Sequence, residues 1–195
     1  MDGVLVAYTT NAGSTAEVAQ AVGEEIARAG APVHVRPLDE VAEIVGYRAV
    51  VVGAPMIMGW HRAARRFVKM HQGELARVKV AYFLAAMSLT QTDHHLGAVP
   101  LAVDPGLAKP PRQAGRLSFR ERFCTLDEYV GPVLKAAPEV KPLGVGVFAG
   151  KLDPARLSWW QRLFVLRVVG AQPGEYRNWP FIREWARRLG EEIGR

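Results

Sequence analysis

Apolar and polar positions along the chain switch repeatedly between two periods. Val4-Leu5-Val6-Ala7-Tyr8 is a short apolar run, and after it Val18, Val22 and Ile26 recur at four-residue spacing. The run predicts a buried strand; the spacing predicts an amphipathic helix over about residues 16–28, stopped by Gly30. Residues 32–36 predict a short second strand. Residues 47–53 predict a third, apolar nearly throughout and so suited to burial on both faces. Over residues 62–72 a helix is expected: Ala63, Phe67 and Met70 line one face, while Arg65, Arg66 and Lys69 crowd another. Residues 78–86 and 143–149 predict the fourth and fifth strands. Between them Thr125-Leu126-Asp127-Glu128 has capping-box spacing and predicts a helix to Ala137. Asn178 is placed to cap a last helix through Pro180, Ile182, Trp185, Leu189 and Ile193. Strands alternating with helices predict an α/β fold with a parallel sheet covered on both faces. Residues 90–124 show no periodicity, are rich in Pro, Gly and basic residues, and read as a long insertion after the fourth strand.

The turn between the first strand and first helix is Thr9-Thr10-Asn11-Ala12-Gly13-Ser14-Thr15. A strand that stops and re-enters as a helix leaves the first helical N–H groups without intrahelical partners, and the helix dipole adds partial positive charge there. Four hydroxyls in these seven positions add short donors, Asn11 adds an amide, and Gly13 permits close backbone approach. No Lys or Arg lies in the turn, so a phosphate would be held by neutral hydrogen bonds alone. The pattern lacks the Gly-Lys-Ser/Thr of a Walker loop and the dinucleotide glycine fingerprint. The ordinary alternative, a turn with one capping Ser or Thr, needs only a single hydroxyl.

This loop resembles the FMN-phosphate loop of flavodoxins. The resemblance continues at Val50-Val51-Val52-Gly53-Ala54-Pro55, which is similar to the strand and turn entering the flavin ring loop. It is most specific to the flavodoxin-type, quinone-linked protoporphyrinogen IX dehydrogenases. Those proteins carry a Gly-Ala start to the ring loop, a Gly-aromatic-His segment, and a helix like Arg65-Arg66-Phe67-Val68-Lys69-Met70-His71. Near the C-terminus they have a Trp/Tyr- and Arg-rich segment similar to residues 157–175. The resemblance covers residues 1–90 well and 143–195 loosely. It implies a flavodoxin-like doubly wound five-stranded parallel sheet, order 2-1-3-4-5, in one domain over residues 1–195. In that order the crevice lies at the carboxyl ends of strands one and three, which are the two loops already singled out.

The resemblance implies FMN as cofactor, with Thr9, Thr10, Asn11, Ala12, Gly13, Ser14 and Thr15 on its phosphate. Pro55, Met56, Ile57, Met58, Gly59 and Trp60 would form an apolar platform for the ring, with Trp60 stacked on one face; its alternative is an ordinary half-buried aromatic. Met58 stands where the family commonly has Tyr. Ala86, Met87, Ser88 and Leu89, leaving the fourth strand beside Ala85, would form the second ring loop. His61 borders the presumed ring site and is a candidate proton donor or substrate contact, since an unperturbed imidazole titrates near neutral pH. The implied reaction is oxidation of protoporphyrinogen IX with a quinone acceptor. Arg62, Arg65 and Arg66 are candidates for the porphyrin's propionates. A flavodoxin-like electron-transfer module without a small-molecule substrate, and an NAD(P)H-quinone reductase, are the alternative functions.

At 195 residues and 49% hydrophobic residues, one domain with a substantial core is expected. The single Cys124 excludes an intrachain disulfide and suits a reducing, cytoplasmic setting. No signal segment is expected from the N-terminal residues, and no apolar run approaches the roughly twenty residues of a spanning helix. A net charge of +6 sets the chain apart from acidic electron-carrier flavodoxins and favours an anionic partner. Leu157, Trp159, Trp160, Arg162, Phe164, Arg167 and Val169 mark the run 157–169 as a peripheral membrane contact on the inner face; a core or self-association helix, and with it a homo-oligomer, is the alternative. No nucleic-acid motif is present. His61, His71, His94 and His95 lack a ligand pattern, so no metal is expected. The absence of Gly-x-Ser-x-Gly disfavours a Ser-His-Asp hydrolase.

Overall fold

The computed structural model describes residues 3–56, 60–91, 99–153 and 173–195. From the N-terminus, β1 (Gly3–Tyr8) leads into α1 (Ser14–Arg28), followed by β2 (Val33–Pro37), β3 (Tyr47–Pro55), α2 (Arg62–Met70), the short α3 (Gln72–Leu75) and β4 (Lys79–Ala86). The chain continues through β5 (Leu89–Thr90), β6 (Leu101–Val103), β7 (Ala108–Lys109), α4 (Phe119–Arg122), α5 (Leu126–Ala136) and β8 (Gly144–Ala149). Two short strands, β9 (Lys151–Leu152) and β10 (Gly174–Glu175), pair antiparallel on either side of residues 154–172, and α6 (Trp179–Gly194) closes the described chain.

The main sheet is parallel, with order β2-β1-β3-β4-β8-β6. Its first five members reproduce the expected 2-1-3-4-5 order. The expected count of five is corrected to six, because the insertion supplies an additional edge strand. Leu101, Ala102 and Val103 pair with Val145, Gly146 and Val147 of β8. Three residues are too few to show a period of two, yet they cover backbone groups that β8 would otherwise present at a sheet edge.

Alternation along the central strands divides the core. Leu5, Val50, Val52, Tyr82 and Leu84 pack on the side of α2 and α5, whereas Val4, Val6, Val51, Ala81 and Phe83 pack on the side of α1 and α6. Val18, Val22 and Ile26 of α1 meet Ile182, Ala186, Leu189 and Ile193 of α6 in the second cluster. Full burial of each Val, Leu or Ile side chain among these contributes roughly 1.5–3 kcal/mol. Gly53 is needed where β3 passes Phe83: a Cβ there would lie 1.9 Å from the Phe83 ring.

Residues 99–124 carry more regular pairing than their patternless sequence implies. β5 and β7 pair in parallel, and the Thr90 amide donates to the Cys124 carbonyl at 2.6 Å. The predicted caps form as well: Thr125 Oγ1 accepts from the Glu128 amide at 3.4 Å, and Asn178 Oδ1 from the Phe181 amide at 3.3 Å. Among the described residues no helix is long and apolar enough to cross a membrane. The run 157–169 lies outside the described residues.

Candidate functional site

The carboxyl ends of β1 and β3 are tied together directly: the Thr9 amide donates to the Gly53 carbonyl at 3.0 Å. Past Thr9 the chain folds onto itself through Thr10, whose Oγ1 accepts from the Gly13 amide at 2.9 Å. Gly13, the N-cap of α1, has φ 86°, a left-handed conformation that a side chain would strain. With no side chain at that position, the first turn of α1 has no side-chain cap. Its leading N–H groups therefore face an incoming acceptor without an internal competitor.

Thr15 sharpens the picture. It is fully buried, and its Oγ1 has no hydrogen-bond partner. Leaving a buried hydroxyl unpaired costs about 1–3 kcal/mol. An anion at the start of α1 removes that cost by accepting from the hydroxyl, so the residues present fit a phosphate. Asn11 is exposed at the tip of the loop, while Thr9, Thr10, Ala12 and Ser14 are half-buried.

A second group, absent from the sequence-based site, meets the same helix start. Arg177, with its side chain 3% exposed, donates from Nε and Nη2 to Glu175 at 2.6 Å each and pairs through Nη1 with Glu17 at 2.8 Å. Nη1 also donates to the Ser14 carbonyl at 3.3 Å, and the guanidinium lies 4.5 Å over the Trp179 ring. The Arg177 hydrogen bonds hold the Glu175 carboxyl below its ordinary range. The available signal was the spacing of Glu175 and Arg177, which lets an extended chain direct both side chains to one face. Glu17, far away in sequence, could not be anticipated.

The remaining predicted residues separate into two groups. Pro55 ends β3 opposite Ala85, and Met56 continues the pairing by donating its amide to the Ala85 carbonyl at 2.8 Å. Ile57, Met58 and Gly59 lie outside the described residues. Trp60, expected beside the ring, is 3% exposed and packs edge-on against Tyr82, with ring centroids 5.8 Å apart. Its bulk is better satisfied in the core, although the indole Nε1 and the Tyr82 hydroxyl are left without partners. Ala86 is buried at the end of β4, Met87 and Ser88 are half-buried, and Leu89 is buried in β5. The Ser88 carbonyl accepts from the Tyr129 hydroxyl at 2.6 Å, which anchors this loop to α5.

His61 is the N-cap of α2: its Nδ1 accepts from the Ala63 amide at 3.3 Å. Partial burial lowers its pKa and favours the neutral ring. With Nδ1 accepting, the proton of that neutral ring sits on Nε2. Arg62, Arg65 and Arg66 are exposed on α2. His71 is paired with Glu74 at 2.7 Å, and His94 and His95 lie outside the described residues. Among the described residues no group of three or more His, Cys, Asp or Glu side chains is arranged to hold a metal.

Comparison with known proteins bears on the fold. A family model described as a flavodoxin domain matches residues 5–175. Protoporphyrinogen IX dehydrogenase (quinone) of Escherichia coli (strain K12) is 22% identical, with 95% of this chain and 93% of that protein covered. A flavodoxin from the domain Archaea superposes with a TM-score of 0.55 at 12% identity, covering 99% of each chain. Rubredoxin oxygen:oxidoreductase from Desulfovibrio gigas gives a TM-score of 0.54 at 11% identity, covering all (100%) of this chain and 36% of that one. These structures share the fold.

Proposed function

The chain belongs to the flavodoxin-domain family, and from that premise we propose that it is an FMN-dependent oxidoreductase that oxidises protoporphyrinogen IX and delivers the electrons to a quinone. The observation that carries the reading is the start of α1, where an uncapped first turn, a left-handed Gly13 and the unpartnered Thr15 hydroxyl converge. In this reading Thr9, Thr10, Asn11, Ala12, Gly13, Ser14 and Thr15 hold the FMN phosphate through neutral donors. Residues 55–60 and Ala86, Met87, Ser88 and Leu89 flank the ring, with Trp60 supporting the site from the core. FMN when bound supplies the redox chemistry, accepting electrons from one reactant and passing them to another.

The protein's own share is binding, orientation and proton handling. Arg62, Arg65 and Arg66 offer guanidinium groups to substrate carboxylates, a pairing suited to planar bidentate contacts. His61 directs Nδ1 to the backbone of α2, leaving Nε2–H as the group that meets a reacting atom. The choice of substrate is supported by likeness to the Escherichia coli dehydrogenase along nearly the whole chain.

An anaerobic assay separates the readings. Protoporphyrinogen IX with a menaquinone analogue should yield porphyrin fluorescence in the presence of FMN-loaded protein. Reduction by a partner reductase without porphyrin turnover would assign an electron carrier instead. Rapid bleaching of the flavin by NAD(P)H alone would assign a quinone reductase.

A further inference from the structure

The turn from Ala86 to Leu89 carries the chain from β4 into β5, and three separate elements hold its backbone. The Ala86 carbonyl accepts from the Gly150 amide, just beyond β8, at 2.8 Å. The Leu89 amide donates to the Leu107 carbonyl of the insertion at 3.2 Å. The Ser88 carbonyl, in the same peptide unit as that amide, accepts from the Tyr129 hydroxyl of α5 at 2.6 Å. A planar peptide bonded at both its C=O and its N–H cannot turn without giving up both hydrogen bonds. Among the described residues the Met87 and Ser88 amides meet no acceptor. The turn is thus clamped around two backbone donors that are left over.

Tyr129 is 5% exposed, and its ring packs in the core cluster with Val130 and Val133. A phenylalanine would fill the same space, so what the hydroxyl adds is the bond to Ser88. Burial, and after it the neighbouring Cys124 thiol, raise the phenol above its ordinary pKa of 10.0 and keep it a donor. We propose that Tyr129 is a positioning residue for the flavin ring: by drawing the Ser88 carbonyl toward α5, it keeps that oxygen from the ring and leaves the Met87 and Ser88 amides as the donors that meet the ring's carbonyl oxygens. On the FMN reading, on which this role rests, amides held against those oxygens favour the reduced ring, which carries more negative charge there. A hydroxyl that served packing or stability alone would leave the bound flavin's properties untouched.

Tyr129→Phe keeps the aromatic ring and removes the hydroxyl. Titration of the flavin-free variant should show FMN and riboflavin both bound roughly fivefold more weakly than by the wild type, because the two ligands share the ring. The midpoint potential of bound FMN should move to more negative values. Val133→Ala, in the same helix, truncates a fully buried side chain without touching Ser88. It should lower the melting temperature more than Tyr129→Phe does, yet keep both affinities within about twofold of wild type and leave the potential unchanged. Unaltered affinity and potential in Tyr129→Phe, equal shifts in Val133→Ala, or weakened FMN with unaltered riboflavin would overturn the proposal. Wild type that binds neither flavin would overturn the FMN reading and this role together.

Discussion

The β1–α1 loop and the Arg177 clamp meet at the first turn of α1, yet they are built in opposite ways. The loop is contiguous and neutral: hydroxyls, an amide and backbone N–H groups, folded by the Thr10–Gly13 hydrogen bond. The clamp consists of charge, brought together from positions as far apart as Glu17 and Arg177. A buried arginine beside the proposed phosphate loop would be the natural source of a cation for it. Its guanidinium instead faces two carboxylates, so it lends the loop no net positive potential. In the proposed reading the phosphate is left to hydrogen bonding and the helix dipole, while the clamp fastens the chain between β10 and α6 to the first turn of α1.

The largest expected effect concerns what holds the neutral loop in place. Gly53→Ala would put a Cβ 1.9 Å from the Phe83 ring, directly beneath the carbonyl that receives the Thr9 amide. Overpacking of this kind costs about 3 kcal/mol, on the order of 10 °C in melting temperature for a protein of this size. Thermal unfolding of the variant checks it; a shift of only a degree or two would mean that Phe83 has room to move.

Arg177→Gln should have the next largest effect. It removes the guanidinium from Glu175 and Glu17, but Lys151 still lies 3.8 Å from Glu175, and both carboxylates are 43% exposed and remain partly solvated. The loss is therefore about 2 kcal/mol, below that of a fully buried pair. Acid should erase the difference. The folded Glu175 carboxyl lies below its ordinary value of 4.5, so the folded state binds that proton more weakly than the unfolded chain. Its contribution is complete above that value and is lost as pH falls through the folded pKa. Denaturant curves at neutral and acidic pH should show the gap between wild type and variant closing. A gap that widens on acidification would contradict the clamp.

Thr15→Val gives the smallest change and the most diagnostic sign. Removing an unpartnered buried hydroxyl should raise the stability of the flavin-free protein by about 1 kcal/mol. The same change should weaken FMN binding roughly tenfold, the equivalent of about one charge-assisted hydrogen bond. Loss of stability together with unchanged affinity would place the hydroxyl in a structural role.

The contrast also explains what could be foreseen. Strands β3 and β4 were legible because uninterrupted apolar runs have few alternatives to burial on both faces, and α1 and α6 because their apolar stripes and caps are local. The turn from Thr9 to Thr15 could be singled out for the same reason: its hydroxyls are neighbours in sequence. β6 escaped notice because three residues carry no period. The Arg177 clamp escaped because its partners meet only after the chain has folded. Trp60 shows the limit of sequence from the other side: an aromatic beside a loop can face a ligand or the core, and only the fold shows its packing against Tyr82.

The central claim, that the start of α1 is a flavin-phosphate site built without a cation, is tested most directly by titrating flavin-free protein with FMN. Binding followed by flavin fluorescence should saturate at one FMN per chain, with riboflavin, which lacks the phosphate, bound far more weakly. Protein that ignores FMN at high micromolar concentration, or that binds riboflavin equally well, would contradict it.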